Sequence, residues 1–125
     1  MKALSLLITV LLLLSISACT QFGEDQIKAW KLIKQGALII DVRSNEEFAG
    51  GHLDNAINIE YENIQLLAKT IGSDKNRSVV FYCRSGRRAN VAIDELNKMG
   101  YSNIFNGQGL SSMQAALEHK NEVKP

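Results

Sequence analysis

Val79-Val80-Phe81-Tyr82-Cys83-Arg84-Ser85-Gly86-Arg87-Arg88 is the stretch on which the fold turns. Its first four residues are β-branched or aromatic, the composition of a strand buried in a sheet. From Ala89 the period changes. Ala89, Ala92, Ile93, Leu96 and Met99 recur at helical spacing, and Gly100 ends the run. Asp94 and Lys98 stand four apart on the outer side of that helix and are expected to pair. A strand therefore passes into a helix through a short loop that begins at Cys83.

On either side of this stretch the same alternation repeats. Asp25 is placed to cap a helix with Ile27, Trp30 and Ile33 on one face, ended by Gly36. Ala37-Leu38-Ile39-Ile40 is a continuous apolar run, as expected of a strand covered on both faces. Ser44 and Glu47 have capping-box spacing and open a short helix through Phe48, broken by Gly50-Gly51. Ala56-Ile57-Asn58-Ile59 predicts a second strand, and Ile64, Leu67, Ala68 and Ile71 predict a helix ending at Gly72. Ile104-Phe105 predicts a last strand, and Leu110, Met113 and Leu117 line a last helix. Strands alternating with helices predict one α/β domain built on a parallel sheet with helices on both faces.

The loop carries the chemistry. The carboxyl ends of parallel strands are where such sheets build their sites. A tight loop entering a helix there aims backbone N–H groups, and the positive end of the helix dipole, at one point. Cys83 starts that loop, and Arg84, Arg87 and Arg88 surround it with positive charge, a setting that favours an anionic, attacking sulfur. Gly86 allows a backbone conformation that a side chain obstructs. A cysteine after a strand is often an inert small hydrophobe, but three arginines among the next five residues contradict an apolar setting.

Residues 1–18 stand apart. Lys2 precedes a mostly apolar run through Ile16, shorter than the roughly 20 residues of a membrane span and suited to an export signal. Ile16-Ser17-Ala18-Cys19 resembles the bacterial lipobox, in which the cysteine is lipidated after cleavage; plain cleavage after Ala18 is the competing reading. Residues 19–24 are then a lipidated cysteine and tether. With Thr20 after Cys19, the expected location is the periplasmic side of a bacterial membrane, by sorting the outer one, or the soluble periplasm if Cys19 carries no lipid. Lys2 is the one basic residue of that segment. The remaining Lys and Arg, one fewer than the full 14, therefore balance the 13 Asp and Glu. No basic excess points to nucleic acid. A lipidated Cys19 leaves Cys83 as the only thiol; a Cys19–Cys83 disulfide is the alternative.

Tyr82-Cys83-Arg84-Ser85-Gly86-Arg87-Arg88-Ala89 resembles the rhodanese active-site loop, with glycine three residues and arginine five residues after the cysteine. Asp41-Val42-Arg43, Glu47-Phe48, Gly51-His52-Leu53 and Ala56-Ile57-Asn58-Ile59 resemble the family's upstream pattern, and Gly107-Gln108-Gly109-Leu110 its downstream one. The similarity spans about residues 25–118, leaving 119–125 as an expected disordered tail. The resemblance implies a three-layer α/β/α fold with a central, mostly parallel five-stranded sheet. It implies a sulfurtransferase acting through a Cys83 persulfide, with a small anionic sulfur donor such as thiosulfate and a thiol or cyanide acceptor. Arg84, Ser85, Gly86, Arg87 and Arg88 would form the substrate site, Arg84 and Arg87 meeting the donor and Arg88 bracing the loop. No metal or organic cofactor is implied. Asn55 stands where the family often has glycine, Gln108 interrupts the usual glycine pair, and Met113 stands where tryptophan is common.

Several rivals share parts of this pattern. Related cell-cycle phosphatases carry the arginine six residues after the cysteine; here residue 89 is Ala and the shorter loop suits sulfur. A non-catalytic binding module would not need an intact loop. A redox sensor would want a resolving cysteine. His52 is a formal candidate for a base paired with Cys83, but its Gly-His-Leu setting reads as packing. Asp41 lies at the same sheet edge as Cys83 and, with Arg43 and Glu47, is expected to form a polar network in support of the site.

Overall fold

The computed structural model of the chain describes residues 22–122. The elements run α1 (Glu24–Lys34), β1 (Leu38–Asp41), α2 (Asn45–Ala49), β2 (Ile57–Asn58), α3 (Ile64–Ile71), β3 (Val79–Cys83), α4 (Arg87–Lys98), β4 (Ile104–Gly109) and α5 (Leu110–Glu122). The strands form one sheet in the order β2-β1-β3-β4, every neighbouring pair parallel. Ile40 and Val42 pack with Val79, Phe81 and Cys83 against Leu67 and Ile71 of α3 and Ala89, Ala92 and Leu96 of α4. Ile39, Val80 and Tyr82 face the other way, onto Ala29 of α1 and Met113 of α5. This is the expected three-layer α/β/α arrangement. The sheet has four strands among the described residues, where the resemblance implied five. Each apolar run of strand type in this part of the chain is already used.

The strand order matters for function. From β1 the chain moves to β2 on one side, then returns past β1 to β3 and β4 on the other. The carboxyl ends of β1 and β3 therefore flank the point where the winding reverses, the place where open α/β sheets gather ligands. Asp41 ends β1 and Cys83 ends β3.

Local departures from the sequence reading have local causes. Helix α1 starts one residue before Asp25: Gly23 is its N-cap, and the Gln26 side chain reaches back to accept the Gly23 N–H at 2.6 Å. Its inner face is Gln26, Ala29, Trp30 and Ile33, so the expected Ile27 points outward, 58% exposed. Lys98 pairs with Glu95, not Asp94, at 2.8 Å. Met99 lies just past α4 and is exposed. Strand β4 continues four residues beyond Phe105, through polar and glycine residues of low strand propensity. Helix α5 runs through Glu122, past the boundary expected at 118, because no glycine or proline interrupts it and His119 rests beside the Phe22 ring at 5.2 Å. The export segment, Cys19 and residues 123–125 lie outside the described residues.

The two departures from the rhodanese glycine pattern fall at the two non-glycine residues with positive φ among the described residues, Asn55 at 65° and Gln108 at 76°. Asparagine tolerates this region through its short polar side chain, and glutamine is a poorer fit. Gln108 sits in a β-bulge: Phe81 pairs with Asn106 and Cys83 with Gly109, so β4 carries one extra residue there. Met113, at the third departure, is fully buried, with Sδ so near Gly107 that a Cβ there would meet it at 3.0 Å.

The loop after α2 is held to the sheet by Tyr82, whose buried hydroxyl accepts the Leu53 N–H at 3.0 Å. Burial above all, reinforced by the Asp41 carboxylate, pushes the Tyr82 phenol above its ordinary range and keeps it neutral. Tyr82→Phe leaves that buried N–H without an acceptor. The expected loss is about 1–3 kcal/mol, measured by urea unfolding; a midpoint and slope equal to the native chain's would show that water or a neighbour replaces the hydroxyl.

Candidate active site

Cys83 is the last residue of β3, a strand buried along its whole length, and is itself 1% exposed with a free thiol. The chain turns from it into α4 in three residues. Gly86 takes the left-handed conformation, φ 95° and ψ −16°, and its N–H donates to Cys83 Sγ at 3.0 Å. Among the described residues this is the one backbone N–H bonded to the sulfur, so the expected cradle of loop amides is narrower at the thiol itself. The first helical hydrogen bond runs from Asn90 N–H to Gly86 O at 2.9 Å. The N–H groups of Arg87, Arg88 and Ala89 therefore have no acceptor within the helix, and α4 has no side-chain cap. The positive end of α4 is left open beside the sulfur.

Two glycines let the loop and β4 approach each other. A Cβ on Gly109 would come within 2.5 Å of the Arg84 carbonyl oxygen, a backbone atom that cannot swing aside. A Cβ on Gly86 would collide with the Gln108 side-chain oxygen. Asn106 completes the junction: its side-chain NH2 donates to Gly86 O at 2.9 Å, and its oxygen accepts the Gln108 N–H at 2.8 Å. Nothing in the sequence marked Asn106, since an asparagine at a strand position carries no signal before the strand's partner is known. The glycine spacing around Gln108 did mark Gly109.

The charged residues divide into tied and free. Asp41 is fully buried and receives the Arg43 backbone N–H at 2.9 Å and its guanidinium at 2.7 Å. Arg43 donates further to Gly51 O at 2.7 Å, and the Asn58 side chain donates to the Asp41 and Arg43 carbonyls. Hydrogen bonding to Asp41 raises the Arg43 guanidinium above its ordinary value and keeps it charged. Glu47, expected beside Asp41 and Arg43, instead makes a two-pronged pair with Arg88, at 2.7 and 2.9 Å. It is positioned for this by the capping box, in which Ser44 Oγ accepts the Glu47 N–H and Glu47 faces the Ser44 N–H. Arg88 thereby braces α4 against α2.

Arg84 and Arg87 are solvent-exposed and join none of the ion pairs among the described residues; Ser85 between them is exposed too. Arg84 lines an open cleft of about 440 Å3 with Arg43, Glu46 and Gln114. His52 is stacked on Phe48 at 3.6 Å with its Nδ1 2.9 Å from the Phe48 carbonyl, an attachment within its own loop. No group of His, Cys, Asp and Glu among the described residues could hold a metal ion.

Hydrogen bonding to Arg88, aided by Ser44, holds the Glu47 carboxyl at about 2, below the ordinary carboxylate value. A carboxyl lowered by folding contributes stability that is complete above its unfolded value near 4.5 and is lost as pH falls toward 2. Partial exposure keeps the contribution small. Glu47→Gln should therefore melt below the native chain at pH 6, with the gap closing between about pH 4.5 and 2. A gap that persists unchanged at pH 2 would point to packing and not to charge.

Residues 25–112 match the rhodanese-like domain. Thiosulfate sulfurtransferase PspE of Escherichia coli is 36% identical over 74 residues, covering 59% of this chain and 71% of its own. A putative mitochondrial thiosulfate sulfurtransferase of Schizosaccharomyces pombe is 37% identical over 86 residues, and the match spans 60% of this chain and 61% of that one. The tRNA uridine(34) hydroxylase of Prochlorococcus marinus is 34% identical across 63% of this chain, but only 28% of its own length is involved. Among solved structures, a rhodanese with anions from E. coli superposes with a TM-score of 0.57 at 35% identity, over 62% of this chain and 91% of that one. The human single-domain sulfurtransferase TSTD1 gives 0.57 at 26% identity, over 73% and 90%. The thiol at the winding reversal, the uncapped helix end beside it and these relatives agree: the chain belongs to the rhodanese-like domain family.

Proposed function

We propose that the chain is a sulfurtransferase that carries sulfur on Cys83, taking it from a small anionic donor such as thiosulfate. The observation that carries this reading is the hydrogen bond from the Gly86 N–H to Cys83 Sγ at the open end of α4. A donor N–H and the helix dipole both favour sulfur as an anion. The thiolate attacks the outer sulfur of thiosulfate; the new S–S bond forms as the old one breaks, and the electron pair leaves with sulfite. An acceptor nucleophile, a thiol or cyanide, then attacks the outer sulfur of the persulfide and returns Cys83 as thiolate. The covalent intermediate divides one transfer into two displacements.

The loop arginines fit separate tasks in this scheme. Arg84 and Arg87, exposed and outside the ion pairs, are available to a dianion approaching the loop. Arg88 is engaged by Glu47, and its role is to hold the loop. The N–H groups of Arg87 and Arg88, unsatisfied within the helix, suit the added sulfur as an oxyanion-type site suits developing charge. The Cys83 residue is almost fully covered, which favours a small donor. The sulfurtransferase names of the E. coli and yeast relatives, and the anions in the solved E. coli rhodanese, support the same reading.

Incubation with thiosulfate is expected to add one sulfur atom to the intact mass, and cyanide to remove it as thiocyanate. Cys83→Ser should show neither change. An unaltered native mass, or a serine variant that behaves as the native chain does, rules the reading out.

The proposal extends to location. Ile16-Ser17-Ala18-Cys19 supports cleavage before a lipidated Cys19, which would tether the domain at the periplasmic side of a membrane. In the expected outcome the native chain fractionates with membranes and Cys19→Ala does not; equal fractionation of the two would indicate a soluble periplasmic form.

A further inference from the structure

We infer that Asn106 is a positioning residue for the sulfur chemistry of Cys83, acting through the Gly86 peptide. The inference rests on the reading of Cys83 as the sulfur carrier. Gly86 is the loop residue on which the geometry at the thiol depends, and it is also the freest, because glycine enters left-handed and right-handed regions about equally. Its N–H meets Cys83 Sγ, and its C=O belongs to the peptide that carries the Arg87 N–H. In a trans peptide those two groups point in opposite directions. Whatever fixes the Gly86 carbonyl therefore sets where the Arg87 N–H points, and limits the rotation that would swing the Gly86 N–H off the sulfur.

Two donors hold that carbonyl. One is the Asn90 N–H, an ordinary helical bond at 2.9 Å. The other is the Asn106 side chain, also at 2.9 Å, from a different element. The second matters because the first hydrogen bond of an uncapped helix frays readily. Asn106 is itself held in place. Its oxygen accepts the Gln108 N–H at 2.8 Å, and the next residue, Gly107, is fastened by the buried Gln26 side chain, which donates to Gly107 O at 2.9 Å. The bulge at Gln108 turns β4 so that Gly109 can lie against Arg84. A continuous set of bonds thus runs from α1 through β4 to the peptide beside the sulfur.

The test separates positioning from folding. The bond from Gln108 N–H to Asn106 is a local side-chain turn that serine or threonine can also make, and neither short side chain donates across to Gly86 O as the amide does. Asn106→Ser and Asn106→Thr should therefore fold, confirmed by circular dichroism, while releasing the Gly86 carbonyl. Both are expected to displace the pH profile of Cys83 alkylation by iodoacetamide to higher pH and to slow sulfur loading from thiosulfate about tenfold, the effect of one net hydrogen bond. A shift in melting temperature alone, with native alkylation and loading in folded Asn106→Ser, would overturn the inference. Should either variant fail to fold, the other decides by the same criteria. Should both fail, amide exchange on the native chain decides: a Gly86 N–H exchanging as freely as a loop amide would overturn it, and slow exchange sustains it. Alkylation needs no sulfur donor, so a native chain that takes no sulfur from thiosulfate would refute the sulfurtransferase reading while these profiles still resolved the role of Asn106.

Discussion

The turn from β3 into α4 is possible because two side chains are missing. Gly86 lies at φ 95°, where a Cβ would also strike Gln108, and Gly109 lets the Arg84 carbonyl come within a distance no side chain permits. Together they let a buried strand end in a cysteine and a helix begin three residues later, with the N–H of the helix N-cap, Gly86, bonded to the sulfur. The parallel sheet supplies the rest. Its winding reverses between β1 and β3, so that same turn sits where the sheet leaves a crevice.

Around this turn, charge is arranged by cancellation. A buried carboxylate one strand away would oppose an anionic sulfur. Asp41 is such a carboxylate, and Arg43 answers it with backbone and guanidinium donors within the same three residues. Glu47 and Arg88 cancel in the same way while tying α2 to α4. With those pairs closed, the loop's own uncommitted charges are Arg84 and Arg87, both positive and both in solvent. Positive charge is thus concentrated on the loop although the chain as a whole is close to neutral.

The sequence reading succeeded where one side chain's chemistry decides its surroundings and faltered where a partner does. The apolar runs at 37–40 and 79–82 and the helical periods at 64–71 and 89–96 needed only hydrophobicity and spacing. The Ser44–Glu47 box was equally local. Ile27 was assigned to the wrong face because the polar Gln26 is buried there, and it is buried because Gly107 and Gly23 satisfy its amide. Strand β4 was cut short because Asn106 to Gly109 have poor strand propensity and are held by pairing to β3. Residues 119–122, expected as part of a disordered tail, continue α5.

By itself, then, the sequence determined the α/β alternation, the placement of Cys83 after the third strand and the arginines beside it. Those depend on residue type and on intervals of a few positions along the chain. Tertiary structure alone supplied the partner that ties Arg88, since Glu47 meets it across 41 positions. It also decided that Asn106 reaches Gly86 and that Gly109 must be bare. Each of these depends on the distance between segments brought together by the sheet, and no spacing in the sequence encodes that distance.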